Sequence, residues 1–149
     1  MIEGRQLQEL TQHDSMRLLA SVPVGRVVFT HHALPAIRAV NHIVVGDKIV
    51  IIAALGSAIS MPASVGSRGY DGTVVAYEAD LMDPDTHLGW SVVVIGTACV
   101  ARDQAEISGY RAALQPWVAG ATDDVIVIQA ELVTGYQLVA AATPQLPIG

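Results

Sequence analysis

Short β-branched runs alternate with turn residues along this chain, and that pattern limits its fold more than any other feature. VGRVVFTHH, LPAIRAVNHIVV, KIVIIAA, TVVAYEAD, WSVVVIGTACVAR and DVIVIQAELVTGYQLV are rich in Val and Ile, which suit a pleated, half-buried strand. Gly46-Asp47 reads as a hairpin turn between the second and third runs, and Asp83-Pro84-Asp85 as a turn within LMDPDTHLG. Gly96 marks a bulge or a close backbone approach in the fifth run, and the last run supplies one or two strands. Two segments have helical character. LTQHDSMRLLASV predicts a helix over residues 12–21 with Thr11 as N-cap, Asp14 near its positive end and Pro23 beyond its stop. DQAEISGYRAAL predicts a second helix capped by Asp103. The Gly- and Ser-rich stretch GSAISMPASVGSRGYDG predicts a short third helix and a loop, the best place for a binding surface. Strands rarely alternate with helices, so the expected fold is mainly β (α+β). It is an antiparallel sheet of six to seven strands closed or half closed as a barrel, with two or three helices.

Residues 1–149 suit a single domain with an ample core, since 52% of the residues are hydrophobic and 15% charged. Residues 1–9 and 141–149 are expected to be loose tails. Ile2-Glu3-Gly4-Arg5 matches a protease recognition site, and AAATPQLPIG has no periodic pattern. No apolar run reaches the roughly 18 residues of a membrane-spanning helix, and the N-terminus lacks a secretory pattern, so the expected location is the cytoplasm. A net charge of −6 argues against nucleic acid as a partner, and no basic amphipathic helix points to a membrane. Cys99 has no partner for an internal disulfide and reads as a small buried side chain. Lys48 is the one lysine, so an anionic ligand must rely on arginines or on helix N-termini.

Common catalytic signatures are missing. There is no glycine-rich dinucleotide fingerprint, no P-loop and no zinc-type cysteine pair. His31 and His32 are expected on opposite strand faces, with His42 joining them only through the fold, so exposed strand-end histidines are the simpler reading and no metal is expected. Glu78 and Asp80 share a strand face and read as solvated acids before a paired-carboxylate site. Asp123-Asp124 reads as turn chemistry, and no catalytic residue can be named.

The order VGRVVFT, AVNHIVVGDKIVI, GSAIS, VAYEAD, GWSVVVIGTA and LQPWVAG resembles the pyridoxamine 5′-phosphate oxidase-like family, the FMN-binding split β-barrels, over nearly all of residues 10–140. The resemblance implies a homodimer with a flavin (FMN) or deazaflavin in the cleft between two barrels. It places Asn41 and His42 beside the flavin ring, with His42 standing where the family has an aromatic residue. Trp90 and Ser91 match a Gly-Trp-Ser motif and Trp117 a Pro-Trp element near the cleft. Trp90 suits core packing as well as a cofactor role, and Asn41 could equally satisfy a neighbouring backbone group. Where relatives hold the flavin phosphate with an arginine, a hydroxyl residue and a lysine, this chain has Ile52, Ala53 and Ala58, keeping Gly56 and Ser57 of that elbow. Arg38 or Arg68 is then the candidate charge partner for a phosphate. Two functions follow: a flavin- or deazaflavin-dependent oxidoreductase acting on a small molecule, or a non-catalytic split-barrel dimer that has lost its phosphate grip and binds a ligand or partner through an apolar cleft.

Overall fold

Each β-branched run is a strand in the computed structural model, which describes residues 4–55, 72–115 and 123–141. The elements in chain order are β1 (Arg5–Leu10), α1 (Gln12–Ala20), β2 (Val24–His31), β3 (Leu34–Val45), β4 (Lys48–Ala53), β5 (Thr73–Met82), β6 (Gly89–Val100), α2 (Gln104–Leu114) and β7 (Asp124–Ala140). The strands pair in the order β1-β7-β4-β3-β2-β5-β6, and β6 pairs again with β7. Six antiparallel strands thereby close into a barrel. The third helix expected between residues 56 and 71 lies outside the described residues.

Both helices start where their caps direct. Thr11 Oγ1 accepts from the Asp14 amide, and an Asp103 carboxylate oxygen accepts from the Glu106 amide at 3.0 Å. α1 contributes Met16 and Leu19 to the barrel core, beside Val27, Phe29, Ile49, Tyr77, Val92 and Ile128. It approaches β7 closely because residue 135 is glycine: a Cβ there would stand 2.2 Å from Ser15 Oγ. α2 lies on the outside of the barrel. Its Leu114, with Ile107 and Tyr110, covers Val50, Ile52 and Val125, forming a second core. Burying an aliphatic side chain of this kind stabilises by about 1.5–3 kcal/mol, enough for a few such residues to hold a helix of this length on the sheet.

Period-2 alternation sorts each strand into an inner and an outer face. On β7 the parity changes part-way, because the ladder with β6 slips between Ile95–Leu132 and Gly96–Ala130, leaving Glu131 as a bulge. Ile126 and Ile128 face the core before the bulge and Val133 after it, so Leu132 is turned outward and is 61% exposed. Gly96 makes the close approach that the sequence suggests, since a Cβ there would meet Gln129 O at 2.2 Å.

Three expectations are corrected. Residues 5–10 are not a loose tail but strand β1, paired with β7 from Arg5–Ala140 to Leu10–Gly135. β4 occupies that edge of β7 only up to Gln129, and β1 satisfies backbone groups beyond it. Cys99 is half-buried, not buried, since it points to the outer face of β6. His31 and His32 do not point apart as strand neighbours do: His32 belongs to the β2–β3 turn, and the two rings meet edge-on at 4.0 Å.

Candidate functional site

The ladder between β3 and β4 runs from Val45–Lys48 to His42–Ile51 and stops there. β3 nevertheless continues back to Leu34 beside β2, and β4 continues to Ala53 beside β7. The two strands therefore part, and a cavity of about 370 Å³ opens between them. One wall is Arg38, Ala39, Val40 and Asn41; the other runs from Ile52 to Leu55, with Val24 and Asp123 completing the lining. Along this gap the β3 edge offers backbone N–H and C=O groups that no strand among the described residues takes, beside a mostly apolar surface. Apolar walls with a few fixed polar groups are what a planar heterocycle needs, and the volume lies within the usual range for small-molecule sites.

Polar contacts fix the rim. Asn41 Nδ2 donates to Leu114 O at 3.2 Å, tying β3 to the C-terminal end of α2. Arg111 Nη2 donates to the Asp123 carbonyl, which holds the start of β7 against the same helix. Asn41 thus satisfies a backbone carbonyl and lines the cavity as well. Arg38 is exposed at the mouth; its Nη1 donates to Ile37 O at 3.2 Å, and its guanidinium stands 5.9 Å from the centre of the Phe29 ring.

His42 does not join Asn41 in the cavity, and it is not an exposed strand-end histidine. Neighbours on a strand face opposite ways, so Asn41 looks outward to α2 and His42 inward, where it is 5% exposed. Its Nε2 lies 2.8 Å from Leu19 O, and its Nδ1 2.6 Å from Tyr77 Oη. A carbonyl can only accept, so Nε2 carries the proton and Nδ1 accepts from the Tyr77 hydroxyl. Burial lowers the His42 pKa below its ordinary value against an opposing contribution from the Leu19 carbonyl, and burial raises that of Tyr77. Both groups are neutral, and they join α1, β3 and β5 across the barrel interior.

Trp90 is 6% exposed in the barrel core, and Ser91 is half-buried on the outer face of β6, opposite Asp80 and Tyr136; neither lines the cavity. Ser57, Ala58, Arg68 and Trp117 lie outside the described residues. Glu78 and Asp80 do share the outer face, but Glu78 is more than a solvated acid: it bonds Arg26 Nη1 at 3.1 Å, and burial, then the neighbouring Asp80, raises its pKa. Ile52 lines the cavity while packing beneath Leu114, so a charged side chain in its place would be buried under α2. Asp123 and Arg111 are rim residues that sequence reasoning missed, since only the fold brings the α2–β7 connection to the gap. Among the described residues no group of three or more His, Cys, Asp or Glu side chains could hold a metal ion.

Comparison with other proteins finds the same fold. The sequence model of pyridoxamine 5′-phosphate oxidase matches residues 11–145. The chain belongs to the pyridoxamine 5′-phosphate oxidase family. An uncharacterized protein of Mycobacterium tuberculosis, Rv0080, is 48% identical over 137 residues, covering 92% of this chain and 89% of that protein. The FAD binding protein of Mycobacterium smegmatis superposes with a TM-score of 0.68 at 28% identity, over 91% of this chain and 100% of that one. A FAD-binding protein of Mesorhizobium loti shares the fold at 17% identity, with a TM-score of 0.67 over 91% of this chain and 98% of the other. Both of these structural neighbours are FAD-binding proteins. No helix among the described residues of this family member is long and apolar enough to cross a membrane.

Proposed function

We propose that this protein binds a flavin or deazaflavin in the gap between β3 and β4 and works as an oxidoreductase on a small organic molecule. The observation that carries this reading is the cavity itself, with apolar walls, a strand edge that no described strand pairs with and Asn41 at its rim. An isoalloxazine ring presents flat apolar faces and an edge of amide-like donors and acceptors, so the lining suits the ring. The bound ring would supply the hydride chemistry; the protein's part is to orient it and exclude water. Arg38 is the lining cation that an anionic tail could reach.

The site is read as working in a homodimer. Ile37, Val28, Ala76, Ile95 and Leu132 are successive cross-strand neighbours on the outer faces of five strands, a continuous apolar row beside the cavity-lining Ala39. Ile37 and Leu132 are 59% and 61% exposed, and a second copy covering this row would bury both. The alternative, a non-catalytic dimer that binds a ligand through an apolar cleft, is favoured by one feature. Ile52 and Ala53, which stand where the sequence resemblance implies phosphate ligands, are buried and apolar. Titration of the purified protein with FMN, FAD and a deazaflavin, followed by reduction of the bound ring with a chemical donor and reoxidation by candidate acceptors, separates the two. Saturable quenching of ring fluorescence with turnover supports the enzyme, binding without turnover supports the module, and no binding overturns the flavin reading.

A further inference from the structure

The described lining of the cavity contains one cation and one anion, Arg38 and Asp123, so its charges cancel. The β4 wall from Ile52 to Leu55 is wholly apolar and cannot solvate a dianion. Arg38 already has two engagements, the Ile37 carbonyl and the Phe29 ring, and it stands at the exposed mouth. Asp123 is fixed in the wall, because Arg111 holds its backbone carbonyl. Outside the mouth, Arg26 is the cross-strand neighbour of Ala39, but it is bonded to Glu78, and Asp80 follows on the same strand face. That guanidinium is already paired with a carboxylate, and Asp80 adds a second negative charge beside Glu78. A phosphate monoester brings a charge of about −1.5 to −2 at neutral pH and asks for several charge-assisted hydrogen bonds. Among the described residues the cavity lining offers no surplus of positive charge, and the rim cation Arg111 is engaged with the Asp123 carbonyl.

Resting on the flavin reading above, we propose that this site selects a flavin or deazaflavin whose tail carries no phosphate monoester. Asp123 is then a specificity residue that disfavours FMN. The test is titration of the ligand-free protein with riboflavin and with FMN at physiological ionic strength, following quenching of ring fluorescence. Riboflavin is expected to bind at least as tightly as FMN. Asp123→Asn is expected to tighten FMN several-fold while leaving riboflavin within about twofold. FMN binding more than about tenfold tighter than riboflavin in the natural protein overturns the proposal and leaves the flavin reading standing. An Asp123→Asn variant that folds as the parent does, with the ratio of the two affinities unchanged, overturns it too. Saturable binding of neither compound, nor of FAD, overturns the flavin reading and this selectivity with it.

Discussion

Among the described residues His42 and Ser15 are the two buried polar side chains, and they affect stability in opposite ways. His42 is bonded through both ring nitrogens as a neutral ring, and its pKa in the fold lies below the ordinary 6.5. The unfolded chain therefore takes up a proton on this residue before the folded chain does. Its stabilising contribution is complete above about pH 6.5 and is lost as pH falls toward the lower folded value. Thermal melts between neutral and mildly acid pH should show stability declining over that window, and His42→Gln should flatten the decline even though it lowers stability at neutral pH. Ser15 Oγ is fully buried with no hydrogen-bond partner among the described residues, packed toward Gly135. An unpaired buried hydroxyl costs about 1–3 kcal/mol, and alanine is the better helix former. Ser15→Ala should thus stabilise the protein by about 1 kcal/mol, measured by chemical denaturation.

Among the elements, the β2–β3 hairpin carries visible strain. Its two turn residues, His32 and Ala33, have φ of 52° and 62°. That is the pattern of the tight hairpin turn that follows the strand twist, for which Asn-Gly is the preferred pair. Residues with an ordinary Cβ reach this region at a cost of about 1–2 kcal/mol each. Replacing both, His32→Asn with Ala33→Gly, should stabilise the fold by about 1 kcal/mol or more, with a rise in the melting midpoint of about 2–4 °C for each kcal/mol. The dipeptide gave no sign of its turn in the sequence, since His-Ala has none of the usual turn residues; Gly46-Asp47 had one and was legible. The caps of α1 and α2 were legible for the same reason, because Thr11 and Asp103 act on amides three residues away. β1 was not, because RQLQEL has weak strand character and is a strand only because β7 has an edge to offer.

At the scale of the molecule, the β6–β7 bulge decides which surface faces outward. It turns Leu132 into the apolar row that continues through Ile95, Ala76 and Val28 to Ile37. If two copies meet there, Leu132→Glu combined with Ile37→Glu should convert the dimer to monomer in sedimentation or light scattering. Both positions are more than half exposed in one chain, so its melting midpoint as a monomer should change little. A double variant that remains dimeric would exclude this face as the interface. The sequence alone determined the local facts: which runs are strands, where the helices start, and that the strands make a mainly antiparallel barrel. These follow from alternation and capping, interactions between residues a few positions apart. Only the tertiary structure decided that Asn41 faces the cavity while His42 faces Tyr77, that Ile52 lies beneath α2, and that Asp123 stands in the cavity wall. Those assignments depend on how strands far apart in the chain close on one another, and a period of two can say that neighbours face opposite ways but not which way is in.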